Sequence, residues 1–350
     1  MRQVRSRREL VARLFPGGIP DLWCPPLTHY TPEGAIDAHR MAAHVRFLAR
    51  WAKGLLVPGT TGDAWELTGQ EMRDVIDTVL RAVAGTDVHV LLGALHADPE
   101  ASRCFVEATI ADLKRRSGRD DALAALQAHR VCGFAVCPPR GAEVGQADMG
   151  RALAATLSIG VPVALYQLPQ FTGNEMGPEL VADLAASWPN FILFKDTSGT
   201  DRVPTAGLDY GGVFLTRGME GEYARWLKPA GGPYDGFLLG TANSFGAHLQ
   251  QVRAALEVGR RADAVELAGR LTAAVVGLFA IVRSVAVGNP FANANKLADH
   301  FAAHGPGGVD VPPPRLHAGP HLTSEMMQAA ADLLRRRGLM PAHGYLEDTP

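Results

Sequence analysis

Lysine is scarce in this chain: Lys53, Lys114, Lys195, Lys228 and Lys296 are the five present in 350 residues, so each one's place in the pattern carries information. Cysteine is scarcer still. Cys24, Cys104, Cys132 and Cys137 form no Cys-x-x-Cys pair and no Cys/His spacing suited to zinc, which argues against a zinc-stapled fold and leaves reduced cysteines as the expectation. A formal net charge of -2 gives no electrostatic case for nucleic acid or an acidic membrane surface as a partner. Nowhere do about 18 uncharged apolar residues run together as a membrane span requires. Residues 271–287 come closest, but Gly277 and Arg283 interrupt them, so a buried helix is expected. The arginine-rich head (Arg2, Arg5, Arg7, Arg8) reaches Pro16 and Gly17 with no apolar stretch long enough for a signal peptide. It reads as an exposed helix or tail on a soluble, cytoplasmic protein. A strand-linked G-x-G-x-x-G and a P-loop are both missing, which weighs against a dinucleotide- or nucleotide-binding open sheet.

What is present is a regular alternation. Hydrophobic residues make up 47% and charged residues 20%, enough to bury a large core. Short apolar runs recur with amphipathic segments between them, the pattern of parallel βα units. Strands are expected at residues 22–27, 54–58, 88–93, 133–137, 161–166, 191–195, 213–216 and 236–239. Between them, residues 70–84 and 149–157 carry apolar side chains at helical intervals, and Pro178 sits where the first turn of a helix should begin. Periodicity alone also fits an open doubly wound sheet; eight strands and the missing phosphate fingerprint favour a (β/α)8 barrel. The expected organisation is a basic head over 1–17, a barrel over 18–260 and a helical extension over 261–350. A surface insertion at 114–130 lengthens the third barrel helix. In the extension, helices are expected at 262–287, 295–303 and 323–337, with a Pro/Gly-rich connector over 305–320.

Active sites of such barrels lie at the C-terminal ends of the strands. Lys195 closes the apolar run of the sixth strand and is followed by Asp196, Thr197, Ser198 and Gly199. Burial among apolar side chains disfavours the ammonium form and yields an amine able to attack a ketone. The plain alternative is a lysine snorkelling into water. Gly59, Thr60, Thr61, Gly62 and Asp63 follow the second strand and offer N–H groups and hydroxyls to a carboxylate, or form an ordinary turn. Tyr166 ends the fifth strand, where a phenol can relay protons or simply find a polar partner. Three such segments at three strand ends make one site.

Together, Gly59–Asp63, Tyr166 with the segment through Gly173, and Lys195 with the segment through Gly199 resemble the dihydrodipicolinate synthase and N-acetylneuraminate lyase family. The resemblance runs from about Pro20 through Lys296 and includes Gly34, Ile36, Asp37, Asn289 and Pro290. It implies a class I aldolase mechanism that requires no metal or other cofactor. Lys195 would form an imine with the keto carbon, Tyr166 would shuttle the proton and the Thr60 hydroxyl would orient that phenol. Gly59 and Thr61 would hold the substrate carboxylate, with Thr197 and Gly218 lining the pocket. The resemblance also implies a small 2-keto acid as substrate and a homotetramer.

Departures from the family bear on the substrate. Dihydrodipicolinate synthases continue Tyr-x-x-Pro into an arginine that binds a carboxylate, and here Phe171 stands there; an apolar ring does not replace a bidentate guanidinium. They also carry a tyrosine pair after the fourth strand, where this chain reads Pro138, Pro139, Arg140, so Arg140 is a candidate carboxylate contact instead. Neuraminate lyases place two acids after the seventh strand's glycine; here Met219, Glu220 and Gly221 leave Glu220 alone. The expected activity is therefore aldol cleavage or dehydration of a 2-keto-3-deoxy sugar acid or a related pyruvate-yielding substrate. Dihydrodipicolinate synthase is the alternative, and a non-catalytic keto-acid-binding barrel is the alternative of another class.

Overall fold

All eight apolar runs form strands in the computed structural model, which describes residues 6–317 and 319–347. They are β1 Leu22–Cys24, β2 Gly54–Val57, β3 His89–Ala94, β4 Val131–Val136, β5 Val163–Gln167, β6 Phe191–Asp196, β7 Phe214–Arg217 and β8 Gly236–Leu238, closed in that order into a barrel whose paired strands run parallel. The strands are buried almost without interruption, which is why they read as continuous apolar runs rather than alternating ones. β1 stops short of the expected 22–27 because Pro25 and Pro26 follow it, and proline cannot donate to a ladder.

The helices are α1 Arg7–Leu14, α2 Ala38–Leu48, α3 Gly69–Ala82, α4 Pro99–Ser117, α5 Ala122–Ala128, α6 Gln146–Leu157, α7 Pro169–Thr172, α8 Pro178–Ser187, α9 Arg202–Thr205, α10 Ala242–Glu257, α11 Arg261–Ile281, α12 Pro290–His304 and α13 Ser324–Arg336. Local chemistry fixes their starts. Thr68 and Glu71 form a reciprocal capping box on α3, and prolines open α4, α8 and α12. The 114–130 segment does not simply lengthen the preceding helix. Gly118, left-handed at φ 64°, ends α4, and Asp121 caps the separate α5 through Ala124 N.

The chain divides into two compact units. The first comprises Met1–Asp21, His89–Met219 and Pro233–Leu238; the second comprises Leu22–Val88, Glu220–Gly232 and Leu239–Pro350.

In the first unit, the expectation of an exposed basic head fails at Arg7; Arg2 and Arg5 lie outside the described residues. Arg7 is buried, and its guanidinium donates to the carbonyls of Phe191 (2.6 Å), Gly211 (2.5 Å), Trp188 (3.0 Å) and Ala185. An arginine can satisfy several converging carbonyls at once because its donors form a rigid fork. Arg7→Met should therefore strand those carbonyls and destabilise the chain by about 2–3 kcal/mol. A urea melt of the variant against the parent chain measures this.

In the second unit, α11 belongs to Arg261–Ser284, which among the described residues is the segment long and apolar enough to cross a membrane by length and composition, with a mean hydropathy of 1.8 in its most apolar window. Only 33% of that window is buried. The helix expected to be buried lays Leu267, Leu271, Ala274 and Leu278 into the core while Val265 and Val276 stay exposed, so it is buried along one face.

Candidate active site

Strand register builds the first unit's share of the site. The pairing of β5 with β6 shifts by one residue between Val163 and Ala164, and beyond the shift Tyr166 pairs with Lys195. Without it Tyr166 would stand opposite Phe194. Paired residues on neighbouring strands share a face, so the irregularity turns the phenol toward the amine. Both side chains are buried, and Lys195 Nζ lies 3.8 Å from the centroid of the Tyr166 ring. The π face of the ring favours a positive charge at Nζ, opposing the desolvation that burial imposes.

Thr197 and Gly218 join them. Gly218 N donates to Asp196 O at 2.7 Å, bringing the end of β7 onto the end of β6. A Cβ at Gly218 would fall 2.3 Å from Thr197 Oγ1 and 2.9 Å from Lys195 Cε, so only glycine leaves the amine room. The Thr197 hydroxyl is buried and, among the described residues, has no hydrogen-bond partner. Cys137, at the end of β4, is buried close enough to sense the charge of Lys195; burial pushes its thiol up and that charge only partly offsets the shift. Gly218→Ala should cost about 1–3 kcal/mol through overpacking and lower turnover more steeply than stability predicts, because the methyl group presses on Lys195 itself. Thermal melting and turnover measured on the same preparation separate the two effects.

Behind Lys195 lies an ionic network that strand-end reasoning missed. Arg217 Nε and Nη2 reach the two carboxylate oxygens of Asp201 at 3.2 and 3.3 Å, and Arg217 Nη1 donates to Met219 O at 2.8 Å. Tyr234 donates to Asp201 Oδ1 at 2.5 Å and to Asp196 Oδ2 at 3.3 Å. Burial raises the Asp196 carboxyl, and hydrogen bonds from Ser198 work against that shift. The one sequence signal was Arg217 beside Gly218 at a strand end, where a buried cation demands a counter-ion.

The second unit carries the other set. Thr60–Gly62 form a single 3-10 turn, and Asp63 follows it in the left-handed region at φ 61°. Thr60 and Thr61 are both buried, and Trp65 Nε1 donates to Thr60 Oγ1 at 3.1 Å. Asp63 Oδ2 accepts from Tyr30 OH and from Lys296 Nζ, each at 2.9 Å, and Lys296 is itself almost wholly buried. Asn289 caps α12 by accepting from Ala292 N at 2.8 Å while its amide donates to Thr60 O at 3.2 Å. α12 and its capping residue thus grip the Gly59–Asp63 turn through two side chains, Lys296 and Asn289. Thr61 and Glu220 meet around Gly240: a Cβ there would lie 3.1 Å from Thr61 Oγ1 and 3.4 Å from Glu220 Oε1. The Glu220 carboxylate accepts from Thr241 N at 2.9 Å, Thr241 Oγ1 at 2.6 Å and Tyr223 OH at 2.8 Å. It therefore serves the start of α10, where a negative charge is favoured.

Lys195, Tyr166, Thr197 and Gly218 are brought together in the first unit, and Gly59, Thr60, Thr61 and Glu220 belong to the second. Arg140 is exposed on the loop after β4. The second unit also contains a buried cluster in which ring nitrogens of His29 and His44 and a carboxylate oxygen of Asp299 lie within 4.8 Å of one another. Arg40 donates to Asp299 Oδ2 at 2.6 Å and Tyr345 to Oδ1 at 2.9 Å, so a guanidinium already occupies the cation's role there. Burial, then the charge of Arg40, hold His29 well below the usual imidazole range, and burial holds His44 below it as well.

Residues 133–287 match the dihydrodipicolinate synthetase family. Over that stretch, less than half of its length, the chain is similar to the family. It is 34% identical over 184 residues to the 4-hydroxy-tetrahydrodipicolinate synthase of Parasynechococcus marenigrum, a match spanning 51% of this chain and 54%, about half, of that relative. The enzyme of the same name from Agrobacterium fabrum is 28% identical over 260 residues, covering 74% of this chain and 81% of the relative. Among solved structures, a prophage protein of the dihydrodipicolinic acid synthase family from E. coli K12, in complex with pyruvate, superposes with a TM-score of 0.70 at 20% identity, covering 92% of this chain and 99% of that one. The synthase of Cyanidioschyzon merolae with lysine bound gives 0.67 at 22% identity, covering 91% and 98%. At those identities the structures speak for the fold, and they agree with the barrel.

Proposed function

We propose that this chain is a lyase that binds a 2-keto acid as a Schiff base on Lys195, using neither a metal nor an organic cofactor. The observation that carries the reading is the buried Lys195 Nζ, 3.8 Å from the Tyr166 ring centroid. The amine attacks the keto carbon and water is lost. The resulting iminium, its charge favoured by the aromatic face, then draws electrons from the neighbouring carbon. In this reading Tyr166 carries the proton, Thr60 orients the phenol, and Gly59 and Thr61 hold the substrate carboxylate. The unpartnered Thr197 hydroxyl is a ready contact for a second polar group on the substrate. Glu220 and Arg140 are the weaker assignments, the first because three donors already hold its carboxylate.

The relatives' shared name favours synthesis over cleavage and moves the synthase ahead of the sugar-acid reading, with pyruvate, which the similar E. coli prophage protein binds, as the proposed keto acid. The product in that name is a dicarboxylate. Pyruvate supplies one carboxylate and its carbons, so the second substrate must bring the other carboxylate, the remaining carbons and the ring nitrogen. Phe171 supports the second reading, cleavage or dehydration of a 2-keto-3-deoxy sugar acid, because it offers that second carboxylate no charge. By resemblance the enzyme is cytoplasmic and a homotetramer, which sedimentation tests.

Borohydride reduction in the presence of pyruvate should leave a mass adduct on Lys195. No adduct with any of several 2-keto acids would overturn the reading in favour of a non-catalytic barrel. Once the adduct is seen, pyruvate consumed with an amino-aldehyde acid selects the synthase, and pyruvate released from 2-keto-3-deoxy sugar acids selects the aldolase.

A further inference from the structure

In the second unit, Thr60 opens the 3-10 turn after β2, and its backbone is fastened from several sides. Asp63 N donates to Thr60 O at 3.1 Å, the Asn289 amide donates to the same oxygen at 3.2 Å, and Gly59 O accepts from Gly62 N at 2.9 Å and from Ala64 N at 3.2 Å. With the backbone held, the direction of the buried hydroxyl is what is left to set. Trp65, half-buried and five residues on in the same run of turns, sets it: its Nε1 lies 3.1 Å from Thr60 Oγ1.

A hydroxyl has one hydrogen to give and two lone pairs, whereas an indole N–H donates only. Thr60 Oγ1 is therefore the acceptor in this pair, and its own hydrogen is directed away from Trp65. A histidine at position 65 can take either role; tryptophan takes one. Accepting a hydrogen bond also polarises the hydroxyl and makes it a stronger donor to its next neighbour.

We infer that Trp65 is a positioning residue for proton transfer: by donating to Thr60 Oγ1 it turns the Thr60 hydrogen toward the Tyr166 oxygen, so that Thr60 supports the phenolate and does not compete for the phenol's proton. The inference rests on the function proposed above, in which Thr60 orients that phenol. There the C–O bond of the carbinolamine on Lys195 breaks, its hydroxyl leaves as water with the Tyr166 proton, and the nitrogen lone pair closes the C=N bond. An iminium and a phenolate result. The phenolate then takes a proton from the carbon beside the iminium; the C–H electrons form the C=C bond of an enamine, and the C=N electrons return to nitrogen. Both steps pass through the phenolate, which a hydroxyl donor stabilises and a hydroxyl acceptor does not.

Pyruvate in D2O is the probe, because exchange of its methyl hydrogens passes through these steps and needs no second substrate. The full chain should replace those hydrogens with deuterium, read by NMR as loss of the methyl proton signal. Trp65→Phe keeps a ring and removes the N–H. It should lower the maximal exchange rate at least about tenfold, with the half-saturating pyruvate concentration within about twofold of the parent's and the borohydride adduct on Lys195 still formed. Thr60→Val should also slow exchange, and the double variant should be no slower than Thr60→Val alone, since Trp65 acts through that hydroxyl. Trp65→Leu repeats the test if the phenylalanine variant does not fold. The inference alone is overturned if the parent forms the adduct and a folded Trp65 variant exchanges like it, or if the two substitutions multiply. A half-saturating concentration that rises in step with the lost rate overturns it too, placing Trp65 in the packing of the turn. A parent that forms no adduct with several 2-keto acids overturns the proposed function and this inference with it.

Discussion

Replacing Lys195 with alanine should lower turnover of any 2-keto acid by at least about 10³-fold and remove the borohydride adduct, while the barrel stays folded. The size of the effect follows from the chemistry, since no neighbouring side chain in the first unit can take over an amine's attack on a ketone. The Tyr166 and Thr197 hydroxyls cannot form an imine, and burial pushes the Cys137 thiol up, which keeps it protonated. The fold should survive for a separate reason. Lys195 sits between Tyr166 and Thr216 in the ladder, and the backbone pairing that holds it there does not depend on its side chain. Removing a buried amine also relieves a desolvation cost, which offsets the lost packing of its methylenes. The melting temperature should therefore move by a few degrees at most. Lys195→Met, which keeps the volume, checks that lost turnover is not lost packing. Turnover retained in either folded variant would sink the Schiff-base mechanism.

The eight strands were legible because parallel strands buried on both faces write themselves as short apolar runs, and Lys195 and Tyr166 were legible because each ends one. Their mutual orientation was not. It depends on the one-residue shift between Val163 and Ala164, which no local residue type announces. Arg7 was misjudged for a similar reason. Its neighbours in sequence are arginines and its partners are carbonyls roughly 180 to 200 residues away, beyond the reach of a composition argument. Glu220 is a candidate substrate contact from its place after Gly218, and what the sequence does not announce is that Thr241 and Tyr223 already donate to its carboxylate. The substrate preference drawn from Phe171 and Arg140 leaned on what two positions lack, and the relatives' shared name now outweighs it. Lys296 ends no barrel strand, so nothing local in the sequence marks it, and its partner Asp63 lies 233 residues away.

That pair supports the second large prediction. Lys296→Met should destabilise the chain by about 3–5 kcal/mol, because it leaves the Asp63 carboxylate buried without its cation, accepting from Tyr30 OH and, at 3.4 Å, from the Asn289 amide. The loss is mostly the penalty on Asp63 rather than the worth of the bridge, and a double substitution separates the two. Lys296→Met with Asp63→Asn removes both charges, keeps an acceptor for Tyr30, and should recover most of the lost stability in a denaturant melt. Recovery of stability need not restore function. Lys296 pins the turn that carries Thr60 and Thr61, and on the function proposed above, in which Thr61 holds the substrate carboxylate, the double variant should show a raised KM for the keto acid with kcat less affected. A double variant that regains stability and the parent KM together would confine the Lys296–Asp63 pair to the fold, and the Gly59–Asp63 turn would then owe its geometry to Asn289 and its own 3-10 bonding.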